Sequence, residues 1–231
     1  MSQSKVEFLP GNRIKIENYS NPWNNRDLWH SNFNIQIVNQ QCKKVQTILE
    51  FGSYDGGDGI RYKHHFPTAD VYSIEASPAC FHNLKGLNQY GLKVFNYAIS
   101  DTIGEVSFYE TYDSENDNYA PCGAIDKELC STDRADGLPL EIRTPVKVPS
   151  ITIEKFCEEQ GIASIDLMHI DVEGHALQCL MGLGPHRPKI IYVEVRGTGY
   201  DHSGPISKLL ESMKYEKSMH CGAEEVWIHT Q

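Results

Sequence analysis

Five short apolar runs, separated by stretches of helical character, narrow the folds open to this chain more than any other feature. They are residues 47–52 (TILEFG), 71–75 (VYSIE), 94–99 (VFNYAI), 165–171 (IDLMHID) and 189–195 (KIIYVEV). Runs this short, bounded by turn residues or acids, read as buried strands. Helical patterns at 78–90, 152–159, 174–182 and 206–214 fill the intervals. Pro78 stands at a helix start, where its missing N–H costs nothing, and Gly161 stands where a helix would stop. Strands alternating with helices imply an α/β fold with a mostly parallel sheet covered on both faces. Residues 215–229 can add an antiparallel pair that ends at 225–228 (EVWI). Such sheets bind ligands beyond the carboxyl ends of their strands, near the switch in strand order.

Two polar pieces flank or interrupt this pattern. Residues 1–44 are turn-rich, with Trp23, Trp29 and Phe33 interspersed and a short helix expected near 32–42. They read as an N-terminal extension able to serve as a lid. Residues 45–231 read as one domain, with a polar insertion near 111–143 between a half-exposed strand at 105–109 and renewed strand character at 144–148. Long irregular stretches inside a compact domain are usually functional, and this one is expected to cover the acceptor pocket.

The formal net charge is -10, and Lys and Arg form no stripe, which argues against phosphate-backbone binding or attachment to an anionic membrane. Seven scattered cysteines, an odd number with no C-x-x-C pair, point to reduced thiols in a cytoplasmic setting. The first ten residues have no apolar signal region, and no run approaches a transmembrane span. The expected partner is a small molecule rather than nucleic acid or a membrane.

Strand ends collect acids and glycines. The first run ends Glu50-Phe51-Gly52-Ser53-Tyr54-Asp55-Gly56, and the second ends Glu75-Ala76-Ser77. The third is followed by Ser100-Asp101, the fourth ends Asp171-Val172-Glu173-Gly174, and the fifth carries Glu194. Glycines let a backbone approach a ligand closely, and an acid ending the second strand can accept hydrogen bonds from both hydroxyls of a ribose. Nearby carboxylates also favour a sulfonium cation. The competing ligand is NAD, whose fingerprint is G-x-G-x-x-G. Gly57 and Gly59 begin such a pattern, but Tyr62 stands in place of the third glycine. Glu50, Gly52 and Gly56 fit E-x-G-x-x-x-G instead, the spacing suited to S-adenosylmethionine.

Residues 48–52 with 72–78, and residues 167–175 (LMHIDVEGH) with 180–182 (LMG), together resemble the FkbM-type methyltransferase family. Residues 96–101, 104–108 and 150–154 resemble that family's middle strand, its hairpin and the approach to its fourth strand. The resemblance implies a class I methyltransferase, Rossmann-like fold. Its sheet is seven-stranded and mostly parallel, with helices on both faces and an antiparallel C-terminal strand pair. It also implies S-adenosylmethionine as cofactor, S-adenosylhomocysteine as product, and O-methylation of a sugar or similar hydroxyl on a small-molecule or glycan acceptor. By matching position, Glu50, Gly52 and Gly56 would line the methionine part, Glu75 would hold the ribose and Asp101 would lie near the adenine. Ser53, Ala76, Ala98 and Asp171 are further candidates for binding the cofactor. His169 stands where the family commonly has Lys, and Ala176 where it commonly has Glu.

An alcohol is a poor nucleophile until its proton leaves, so a base within hydrogen-bond reach is expected. Asp171, Glu173 and His175 are the candidates; His175 titrates in the useful range. No metal-ligand spacing stands out. A divalent ion on Asp171, Glu173 and Glu194 is a second way to activate the hydroxyl, though nothing in the spacing requires it. The rival readings are a non-catalytic S-adenosylmethionine-binding module and an NAD-dependent Rossmann enzyme.

Overall fold

The apolar runs become neighbours in one seven-stranded sheet in a computed structural model that describes residues 5–17, 19, 27–133, 139–197 and 200–230. We number its strands β1 (Thr47–Phe51), β2 (Asp70–Glu75), β3 (Leu92–Asn96), β4 (Leu167–Ile170), β5 (Ile190–Glu194), β6 (Tyr215–Cys221) and β7 (Glu224–His229). Their order across the sheet is β6-β7-β5-β4-β1-β2-β3. The β1–β2, β2–β3, β1–β4 and β4–β5 pairs are parallel, and β7 runs antiparallel to both β5 and β6. The order reverses between β1 and β4, which places the expected ligand crevice at their carboxyl ends. This is the architecture that the family resemblance implied.

Six α-helices among the described residues cover the sheet: α1 (Gln36–Gln41), α2 (Gly57–His65), α3 (Pro78–Leu84), α4 (Ile153–Gln160), α5 (Ala176–Met181) and α6 (Ser203–Ser212). Strand alternation sends Ile48, Val71 and Ile190 into a core shared with Val38, Ile60 and Leu84 of α1–α3. Their neighbours Leu49, Tyr72 and Ile191 enter the opposite core with Phe156, Cys179 and Leu210 of α4–α6. Each such side chain contributes about 1.5–3 kcal/mol by burial, so a one-residue register slip would exchange the two cores. Side-chain caps set two helix starts. Ser77 accepts from the Cys80 N–H ahead of Pro78, and Thr152 accepts from the Lys155 N–H.

Four sequence expectations change in detail. Run 94–99 does not continue as one strand: β3 stops at Asn96, whose Nδ2 donates to the carbonyls of Glu75 (2.8 Å) and Ala76 (2.9 Å). The chain then turns, and Ala98–Ile99 pairs with Val146–Ile151 in a second sheet. The stretch 78–90 is α-helical only to Leu84 and continues as a 3-10 helix, Lys85–Tyr90. Helix α5 starts at Ala176 because Glu173 and Gly174 both sit in the left-handed region, at φ 47° and 86°.

The polar stretch 111–143 is not one irregular loop, because it carries the end of one long strand and two further paired strands. Gly104–Asp113 pairs with Asn118–Ala124, Glu141–Ile142 and Val146–Ile151. The turn holds because Asp113 Oδ1 accepts from the Glu115 and Asn116 N–H groups at 3.2 and 3.1 Å, and Asp117 takes φ 50°. Upstream, Val6–Leu9, Arg13–Ile16 and Leu28–Trp29 form a small antiparallel sheet. Trp23 lies outside the described residues. No helix among the described residues is long and apolar enough to cross a membrane.

Candidate active site

A cavity of about 530 Å³ opens at the carboxyl ends of β1, β2, β4 and β5. Its entrance to the sheet is made by Gly52, which takes φ +83°. A Cβ on residue 52 would stand 1.6 Å from the Asp171 carbonyl oxygen, so the ends of β1 and β4 can approach this closely only with glycine there. The Gly52 and Ser53 N–H groups both donate to the Ile74 carbonyl, at 3.0 and 3.3 Å, tying the same turn to β2.

Glu50 is buried beneath that turn. Its Oε2 accepts from Ser73 Oγ at 2.5 Å and its Oε1 from the Gly59 N–H at 3.1 Å. Burial, followed by the charge on Asp58, pushes its carboxyl up to about 8. Gly59 must lack a side chain, since a Cβ there would stand 2.8 Å from Glu50 Oε2. Glu75 is also buried, with Oε2 accepting from the Tyr54 N–H at 2.9 Å and Oε1 from the Ser77 N–H at 2.7 Å. Burial raises it to about 7, against those two backbone donors. Tyr54 holds φ 44°, an uncommon backbone state for a residue with a Cβ, and such states concentrate at functional sites.

The far wall is crowded with acids. Burial, then Glu194 and Glu224, holds Asp171 well above the usual carboxylate range. Burial raises Glu173 and Glu194 to about 8 each, with Asp171 acting on the first and Glu173 on the second. The Tyr200 hydroxyl donates to Glu194 Oε2. In this cavity the carboxyls cannot all ionise together without a compensating cation.

His175 opens α5 and lines the cavity, with Nε2 3.1 Å from Ser100 Oγ. Ser100 Oγ in turn lies 3.2 Å from Asp101 Oδ1 and donates to it. Ser100 Oγ thus bridges the imidazole and the Asp101 carboxylate and fixes the orientation of the ring. Burial lowers the His175 pKa, so the ring is neutral near pH 7 and able to accept a proton.

Of the residues singled out in the sequence, Glu50, Gly52, Ser53, Glu75, Ala76, Ala98, Asp171, Glu173 and His175 all line the cavity. Gly56 and Asp101 are not among its lining residues. Gly56 caps α2 at φ 82°, and Asp101 is exposed and reaches the site only through Ser100. The cavity also gathers residues the sequence did not single out. Asp55 accepts from the Trp29 and Gly57 N–H groups at 2.8 and 3.0 Å. Asp58 accepts from the N–H and Oγ of Ser31 at 2.8 and 2.9 Å. Glu110 of the hairpin accepts from Ser77 Oγ and so closes over the end of β2. Two acids in a glycine-rich turn were a visible signal; a Glu within an apparently irregular stretch was not.

One group among the described residues brings metal-ligating atoms within 4.8 Å of one another: Glu50, Asp58 and His169. Each already has protein partners. Glu50 and Asp58 hold the bonds given above, and His169 Nδ1 lies 3.1 Å from the Tyr62 hydroxyl. The set is a hydrogen-bonded floor to the cavity, and nothing in it calls for an ion. Asp171, Glu173 and Glu194 do not converge to that span.

Comparison with known proteins gives three findings. A family model described as "Methyltransferase FkbM domain" matches residues 24–217. The 2-O-methyltransferase NoeI of Sinorhizobium fredii (strain NBRC 101917 / NGR234) is 27% identical over 152 residues, 64% of this chain and 61% of that protein. The chain thus spans less than two thirds of that relative. Among solved structures, precorrin-6y C5,15-methyltransferase from Geobacter metallireducens GS-15 superposes with TM-score 0.44 at 7% identity, covering 84% of each chain. A putative caffeoyl-CoA O-methyltransferase from Staphylococcus aureus gives 0.44 at 11% identity, over 85% of this chain and 79% of that one.

Proposed function

Since this chain belongs to the FkbM methyltransferase family, we propose that it transfers the methyl group of S-adenosylmethionine to a hydroxyl oxygen of a sugar or another small polyhydroxylated acceptor. The observation that carries the reading is Glu75. It is a buried acid at the end of β2, and a backbone N–H aims each of its oxygens at a cavity wall. A carboxylate fixed in this way keeps lone pairs for two vicinal hydroxyls, the pattern that recognises a ribose. Gly52 supports the same site by letting the ends of β1 and β4 meet beside it, which builds the crevice. The surplus of acids supports a cationic donor, because a sulfonium offsets the burial and mutual repulsion that raise Glu173 and Glu194.

Bound S-adenosylmethionine supplies a methyl carbon on sulfur for in-line displacement, a reaction that rests largely on holding donor and acceptor in line. His175 takes the hydroxyl proton, and Ser100 and Asp101 orient the ring for it. Asp171 and Glu173 accept hydrogen bonds from the acceptor's hydroxyls. The hairpin that carries Glu110, Tyr119 and Cys122 forms the acceptor wall. The relative named for 2-O-methyl transfer supports oxygen as the methylated atom.

The test is transfer of labelled methyl from S-adenosylmethionine to a panel of simple glycosides, read by mass spectrometry. The expected product carries one methyl group on an alkali-stable ether. Label appearing only on nitrogen or as an ester would overturn the reading, as would its absence across the panel.

A further inference from the structure

Charge in the cavity is one-sided. Nine carboxylates line it, with two histidines whose pKa values burial lowers. Among the described lining residues a single Lys or Arg is present, Arg13 of the N-terminal sheet. The amino-acid end of S-adenosylmethionine carries a carboxylate. An anion brought among acids in a partly dry cavity needs a cation beside it.

We propose that Arg13 receives the carboxylate of the donor's methionine moiety, which makes the N-terminal sheet a wall of the donor site. The inference rests on the reading that S-adenosylmethionine is the donor. Its geometry rests on how that sheet is fastened. Arg13 pairs across the sheet with Trp29. The Trp29 N–H donates to Asp55 Oδ2 at 2.8 Å, and its carbonyl oxygen packs so closely that a Cβ on Gly57 would stand 1.7 Å away. Two residues further on, the Ser31 N–H is bonded to Asp58, and Arg61 donates to the carbonyls of Ser31 (3.0 Å) and Phe33 (2.7 Å). The strand bearing Arg13 is therefore held against the glycine-rich turn that opens α2, the turn assigned to the methionine part.

Among the described residues the Arg13 guanidinium has no fixed partner. It acts electrostatically on Asp55, yet it makes no ion pair or hydrogen bond with another described residue, and it is exposed at the cavity mouth. A guanidinium meets a carboxylate with two parallel hydrogen bonds, which a lysine cannot reproduce.

The test compares S-adenosylmethionine with decarboxylated S-adenosylmethionine, which lacks only that carboxylate, by calorimetry on the unsubstituted chain, Arg13→Ala and Arg13→Lys. The unsubstituted chain should prefer the intact donor roughly ten- to hundredfold. Arg13→Ala should bring the ratio close to one while leaving affinity for the decarboxylated form unchanged, and Arg13→Lys should fall between. A ratio unchanged in Arg13→Ala, equal losses for both ligands, or no preference in the unsubstituted chain would overturn the inference while leaving the donor reading intact. Failure of the unsubstituted chain to bind either ligand would overturn the donor reading and the inference with it.

Discussion

A Cβ on residue 52 would lie 1.6 Å from the carbonyl oxygen of Asp171, so the first and fourth strands of the sheet meet at a point where only glycine fits. The same residue holds φ +83°, so a substitution there meets backbone strain as well as a main-chain collision. Gly52→Ala should destabilise the chain by about 2–4 kcal/mol and abolish binding of S-adenosylhomocysteine. Thermal melting and calorimetry check both, and a variant as stable and as tightly binding as the parent would remove this junction from the account.

Glu75 has two tasks that substitutions can separate. It anchors the Tyr54 and Ser77 N–H groups, and it is assigned to the ribose hydroxyls. Glu75→Ala should weaken S-adenosylhomocysteine binding by about 2–4 kcal/mol. Glu75→Gln, which keeps one carbonyl acceptor, should lose less. Unchanged affinity in a folded Ala variant would reduce Glu75 to a structural acid.

The crowded acids set a pH signature. Glu50, Glu173 and Glu194 are raised from 4.5 to about 8 in the folded chain. Each therefore binds a proton when folded that it has released when unfolded. Its contribution to stability is full below the unfolded value and is lost as pH rises through the folded one. His169 and His175 are shifted the other way from 6.5, so they penalise the folded state at low pH and add no pH dependence above that value. The melting temperature of the ligand-free chain should accordingly fall between about pH 6.5 and 8, and fall less in Glu194→Gln. A rise across that window would contradict the picture of carboxyls crowded without a cation.

His175 is the assigned base, positioned by Ser100. His175→Ala should lower the turnover rate by roughly 10²–10⁴-fold, with a smaller loss in Ser100→Ala. The pH–rate profile should lose its acidic limb only when His175 is replaced. A small effect at His175 beside a large one for Asp171→Asn or Glu173→Gln would move the role to a carboxylate.

Much of the frame was legible because the signals are local. Apolar runs ending in acids marked β1, β2, β4 and β5, and Pro78 marked a helix start. The hairpin was not legible. Its strands bury polar residues, Glu110, Thr111, Asp113 and Asn118, and that pattern imitates a loop. The break at Asn96 was hidden for another reason. It depends on two side-chain bonds to the end of β2, 20 and 21 residues away in sequence. The role of the N-terminal segment was equally long-range, since nothing near Arg13 or Trp29 announces that Asp55 and Asp58 will hold that segment against the cavity.

The most direct measurement for the account as a whole is a calorimetric titration of the unsubstituted chain with S-adenosylhomocysteine and, separately, with NAD. The account predicts saturable one-site binding of S-adenosylhomocysteine, accompanied by proton release near pH 7 as the raised carboxyls ionise around it, and no binding of NAD. Tight binding of NAD with no response to S-adenosylhomocysteine would contradict it.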